Sequence, residues 1–155
     1  MTKRTLPWSV CPRSGPFRKI AAQEQRYGAR AARPGGPRIE LAFSAAGTLI
    51  GQTVWRPGRY DGRESLLVLD WLTAPDEPAA GHALRARLVE RARELDLENV
   101  TMILPDTVPE WRAFQDASFR VRATNDFLLA RCAQRPWNED WLCERWYYTL
   151  GDFEG

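Results

Sequence analysis

Histidine occurs once in this chain of 155 residues, at His82, and cysteine three times, at Cys11, Cys132 and Cys143. The cysteines are odd in number and far apart, so neither a disulfide framework nor a zinc site has its ligands at workable spacing. No metal is expected, and the thiols read as reduced ones in a cytoplasmic protein. Serine-histidine or cysteine-histidine catalysis would need His82 as its base, and nothing beside it resembles a nucleophile elbow. No apolar run approaches the ~18 residues that span a bilayer. The opening segment holds only Leu6-Pro7-Trp8-Ser9-Val10 where a signal peptide needs a longer apolar stretch. The expectation is a soluble, non-exported chain of the cytoplasm with no membrane partner. Lysine is equally scarce: Lys3 and Lys19 are the only lysines among 22 basic residues, and 11 prolines accompany them. That is the bias of a GC-rich genome. An Arg-rich start also fits a mitochondrial transit peptide, but Pro7, Pro12, Pro16, Pro34 and Pro37 break the helix such a peptide needs.

What is present suits one globular domain, with 44% hydrophobic and 27% charged residues. The net charge of +2 hides an asymmetry, because residues 1–38 carry nine Lys/Arg against Glu24 alone. Residues 1–37 read as a basic arm, with a short helix near 17–30 and a Pro34-Gly35-Gly36-Pro37 linker. Residues 38–155 read as the folded domain. A nucleic-acid role is disfavoured, since only Trp8, Phe17 and Tyr27 are interleaved with the basic residues and stacking platforms are few.

Within the domain, residues 38–44 alternate polar and apolar, Ala46-Gly47 turns the chain, and 48–56 return, which predicts a β-hairpin. Residues 57–63 read as a polar loop. The near-continuous apolar run of 65–72 suits a strand covered on both faces. From about 77 to 95, Ala80, Ala83, Leu84, Leu88, Ala92 and Leu95 recur at helical spacing, while the arginines at 85, 87, 91 and 93 read as a solvated face. Thr73 and Asp76 are candidate caps for that helix, and Pro78 is tolerated in its first turn. Residues 100–104 form a further strand closed by Pro105, and strand, helix, strand makes a parallel βαβ unit. Thr107 and Glu110 have capping-box spacing for a short helix through Trp111, Phe114 and Ala117. Residues 119–122 and 127–131 flank Thr124-Asn125-Asp126 as a second hairpin, followed by a tail rich in Trp and Tyr.

That order resembles the GNAT acyltransferases from their second strand onward. The local matches are Leu84, Leu88, Ala92 and Arg93 followed by Asn99-Val100, the segment Glu110 to Phe119, and the tail Arg145 to Asp152, which is similar to the ending of a group of bacterial GNAT-like proteins. The resemblance covers residues 38–152. It implies an α/β fold with a mixed sheet, a βαβ crossover and a C-terminal hairpin, and it implies transfer of an acyl group, such as acetyl, from acyl-CoA to an amine. It further implies that the pantetheine arm pairs with Leu72 and Thr73 and that the pyrophosphate sits on amides at Ala79, Ala80, Gly81 and His82. Asp70 is then the candidate proton acceptor, and Tyr147 and Tyr148 are candidates for the general acid. The family's usual tyrosine falls on Phe114, and its glycine-rich phosphate loop on Thr73 to Gly81, which holds Asp76 and Glu77.

Each of these residues also has a structural reading. Asp70 can be satisfied by Arg or backbone amides at a strand end, His82 can be a surface histidine, and Tyr147 and Tyr148 can be packing or interface residues. The alternative function is a non-catalytic GNAT-like module that binds a protein partner, or a second copy of itself, through its aromatic tail.

Overall fold

The structure, a computed structural model, describes residues 35–74, 76–105, 108–122 and 150. Its elements are β1 (Arg38–Phe43), β2 (Leu49–Tyr60), β3 (Arg63–Thr73), α1 (Pro78–Glu94), β4 (Asn99–Met102) and α2 (Pro109–Asp116). The four strands form one sheet in the order β1-β2-β3-β4. β1 with β2 and β2 with β3 are antiparallel, and β3 with β4 is parallel. The βαβ unit expected from the sequence is therefore present.

Turn chemistry sets both hairpins. Between β1 and β2, Gly47 takes a φ of 77°, and the Ser44 hydroxyl accepts the Thr48 N–H at 3.1 Å. Between β2 and β3 the turn is Asp61-Gly62, with φ values of 50° and 76°, as a two-residue hairpin turn requires. In place of the loop expected over 57–63, Pro57 to Tyr60 continue β2 and pair with Leu66 to Arg63. Pro57 misled because it removes a ladder donor. β1 first pairs at Arg38 with Trp55, so it does not flank this stretch, and proline is tolerated where a strand runs along an edge. Gly58 serves a second purpose, since a Cβ there would stand 2.7 Å from Leu67 Cδ1.

One bulge decides which way β3 faces. Val54 pairs with Asp70 and Trp55 with Val68, so Leu69 has no residue opposite it on β2. Trp55, Val68 and Trp71 join the apolar cluster under α1, whereas Val54 and Leu69 join the cluster on the opposite face of the sheet. Asp70, paired with Val54, shares that opposite face.

α1 seats Ala80, Gly81, Leu84, Leu88 and Ala92 on the sheet, with the residue beside them, Arg85, buried as well. Ala83 and Leu95 are exposed, and Arg85 does not belong to the solvated row predicted for it. Arg87 and Arg91 do belong to that row and reach Glu40 on β1, at 3.7 and 2.9 Å, as well as Glu90 and Glu94 on their own helix. Hydrogen bonds that Arg91 donates to Glu94 and then to Glu40 raise its pKa above the ordinary arginine value. An exposed pair such as Arg87–Glu90 contributes little to stability.

Among the described residues no helix is long and apolar enough to cross a membrane. Residues 119–122 are described but form no strand, and the rest of the expected second hairpin lies outside the described residues, as do the helix near 17–30 and the tail through Tyr147 and Tyr148.

Candidate functional site

β3 and β4 run together only from Ser65–Asn99 to Val68–Met102. β4 then ends, while β3 continues to Thr73 against β2 alone among the described strands. The parallel pairing therefore stops beside the bulge, and Leu72 and Thr73 lie beyond its last pair. The start of α1 lies at the same end, because only four residues separate Thr73 from Pro78. The strand residues and the helix start that the sequence reading singled out are thus brought together.

Asp70 lies two residues beyond the last β3–β4 pair and is 2% exposed. Its Oδ1 accepts the Trp71 N–H at 2.8 Å and its carbonyl accepts the Thr53 hydroxyl at 2.9 Å. The first bond orients the carboxylate and the second holds the backbone at the bulge. Trp71 itself turns to the other face and packs edge-on against Phe114, with ring centroids 4.8 Å apart.

The start of α1 differs from the expectation of a capped helix. Thr73 is the last residue of β3, and the N-cap is Glu77, whose side chain makes no capping bond. Pro78 has no N–H to offer a ligand, and the Ala80 N–H donates to the Glu77 carbonyl at 3.0 Å. Ala79 and His82 are exposed, and Ala80 and Gly81 are buried. Asp76 and Glu77 put two carboxylates ahead of the positive end of the helix, where an anionic ligand would dock. Neither is used as a side-chain cap, so Asp76→Asn with Glu77→Gln is expected to tighten CoA binding by roughly 0.3 to 1 kcal/mol per charge if the pyrophosphate docks there. Titration calorimetry checks this, and unchanged or weaker binding would place the phosphates elsewhere.

Two residues whose sequence context points to other tasks lie near the end of β3. Glu110 was expected to close a capping box with Thr107. The N-cap of α2 is instead Val108, in extended conformation, Thr107 lies outside the described residues, and the Glu110 carboxylate accepts the Thr73 hydroxyl at 3.4 Å. Arg85, expected in solvent, is 6% exposed and sits 5.4 Å above the Phe114 ring with Nη2 3.0 Å from His82 Nδ1. Burial lowers its pKa from the ordinary arginine value. The one available sequence signal was its place four residues after Gly81, on the stripe that α1 turns to the sheet. Among the described residues no group of three His, Cys, Asp or Glu gathers as a metal site would.

No protein-family model and no curated protein sequence matches this chain. Solved structures do. A candidate acetyl transferase from Pyrococcus furiosus is 13% identical, with 74% of this chain and 79% of that one covered and a TM-score of 0.57. A ribosomal-protein-alanine N-acetyltransferase from Brucella melitensis biovar Abortus 2308 is 18% identical, over 73% of this chain and 91% of that one, with a TM-score of 0.50. A transcriptional regulator from Bacillus halodurans C-125 is 13% identical, over 77% and 87%, with a TM-score of 0.56. The chain has the GNAT fold, an α/β architecture with a mixed four-stranded sheet among the described residues. At these identities the likeness speaks for the fold, and the regulator among the neighbours illustrates that one fold carries several functions.

Proposed function

We propose that this chain is an N-acyltransferase that moves an acyl group from acyl-CoA to an amine in the cytoplasm. The observation that carries this reading is the end of β3–β4 pairing beside the Leu69 bulge, at the end of the sheet where α1 starts, with Asp70 turned to the face opposite α1. Donor and acceptor then approach the same point from two sides of the sheet. The pantetheine arm pairs with the backbone of Leu72 and Thr73, and an N–H there polarises the thioester carbonyl. The amine attacks that carbonyl carbon, a C–N bond forms, the C–S bond breaks and the thiol of CoA leaves. Asp70 takes the proton that the amine gives up, directly or through water. Phe114 has no hydroxyl with which to return a proton to sulfur, and Tyr147 or Tyr148 fills that role in this reading.

Thermal melting with and without acetyl-CoA tests donor binding. Ligand at about a hundredfold its dissociation constant stabilises by ~2.7 kcal/mol, which is roughly a 5 to 11 °C rise for a chain of this size. No rise at saturating ligand, with no CoA release in the presence of an amine panel, would overturn the reading. Those results are what the second reading expects, a non-catalytic module that docks a protein partner through its aromatic tail and basic arm. Asp76, Glu77 and Phe114 favour that alternative, because each occupies a place where donor chemistry needs the opposite property.

A further inference from the structure

β1 stands at one edge of the sheet. It pairs with β2 on one side, and among the described residues nothing pairs with its outer side. Ile39 packs with the cluster on the sheet face opposite α1, and the alternation of a strand turns Leu41 and Phe43 to that same face. Leu41 is 46% exposed and Phe43 57%. Both charges of the strand are turned the other way, Arg38 over the Trp55 ring at 5.4 Å and Glu40 against Arg87 and Arg91 of α1. On the face opposite α1, the edge therefore presents a row of three apolar side chains with no charge among them.

The unpaired N–H and C=O groups of an edge strand template further pairing, and monomeric proteins ordinarily guard such edges with lysine, proline or a bulge. β1 has none of these. It contains neither lysine nor proline, and the irregularity in its pairing falls on β2, where Ile50 is passed over between Gly51 and Leu49. The open ladder and the apolar row together fit another extended segment with the same alternation, and β1 is itself such a segment.

We propose that two copies of this chain join through β1, antiparallel about a two-fold axis at Leu41, so that their four-stranded sheets become continuous. Leu41 then lies opposite the partner's Leu41, and Ile39 opposite the partner's Phe43, an apolar ladder on the face away from α1. Charge and length select this register. An axis at Glu40 overlaps the strands equally but sets two carboxylates opposite each other, which is unfavourable. An axis at Ala42 shortens the ladder, because Ser44 already belongs to the turn. A slip by one residue sends the apolar row to the wrong face. Six residues a side bury less than the ~1,200 Å² of a standard interface, so the dimer is weak and assembles at roughly micromolar concentrations.

Sedimentation velocity on the full chain from about 1 to 200 µM tests this, with a monomer–dimer equilibrium expected inside that range. Leu41→Lys sets two ammonium groups opposite each other on the axis, and Phe43→Lys puts a charge into the apolar row. Each should raise the dissociation constant by about tenfold or more, whereas Val121→Lys, equally exposed but outside the sheet, should leave it unchanged. Circular dichroism establishes that each variant is folded, and either of the two β1 variants suffices should the other unfold. A chain that stays monomeric throughout overturns the inference; if its melting temperature also falls in Leu41→Lys, residues 1–34 of the same chain cover the edge instead. A dimer indifferent to the folded β1 variants overturns it as well and moves the contact to another surface, such as the aromatic tail.

Discussion

Acyl transfer to an amine is expected to fall by about 10²- to 10⁴-fold in Asp70→Asn, the range of a lost general base, with the fold unchanged. Asparagine keeps the size of the residue and an oxygen for the Trp71 N–H, which Asp70 Oδ1 accepts at 2.8 Å. The substitution therefore removes proton acceptance and leaves the bulge its internal hydrogen bond. That distinction matters because Asp70 is 2% exposed, and a larger change would test packing instead. Turnover at saturating acyl-CoA, read beside the melting temperature, checks it. A variant with wild-type turnover would reduce Asp70 to a structural residue of the bulge, and one that loses stability as well as turnover would show that its negative charge is needed by the fold.

The other large effect is on stability. Trp55→Ala is expected to cost about 3 kcal/mol, at the lower end of the range for a buried tryptophan. Trp55 is fully buried in the cluster beneath α1 and lies under the Arg38 guanidinium, 5.4 Å from the ring centroid, so truncation removes both a large apolar area and that contact. One term offsets part of the loss: the indole Nε1 is buried without a partner among the described residues, and alanine removes that unmet donor too. For a chain of this length the melting temperature should drop by roughly 6 to 12 °C. Arg93→Ala, exposed on the outer face of α1, serves as the control and should stay within ~0.5 kcal/mol of wild type. A cost below ~1 kcal/mol for Trp55→Ala would mean that α1 does not pack on this face of the sheet.

Much of the frame was legible because the spacing of apolar residues is a local property. The alternation over 38–44, the near-continuous apolar run over 65–72 and the helical recurrence from Ala80 to Ala92 each announce an element without reference to the others. The same logic went astray at Pro57-Gly58. A proline and a glycine side by side signal a break, and only the shortness of β1, which leaves that part of β2 beside β3 alone, makes a strand tolerable there.

The sequence by itself determined the order of elements, the parallel crossover from β3 through α1 to β4, and hence the end of the sheet at which a cleft could open. It also marked Leu72, Thr73 and the start of α1 as neighbours, since a tight connection forces a strand end and the next helix start together. Tertiary structure alone decided which side chains meet at that end of the sheet. The face to which Asp70 points depends on one uncounted residue, Leu69, visible only when β3 is laid against β2. Arg85 is charged and so reads as solvated, yet Gly81 beneath it and Phe114 above it enclose the guanidinium. Glu110 has the spacing of a cap, yet it meets Thr73, a residue 37 positions away in the chain. In each case the deciding contact joins elements that are distant in sequence, and periodicity along the chain carries no information about which side chains a fold will bring face to face.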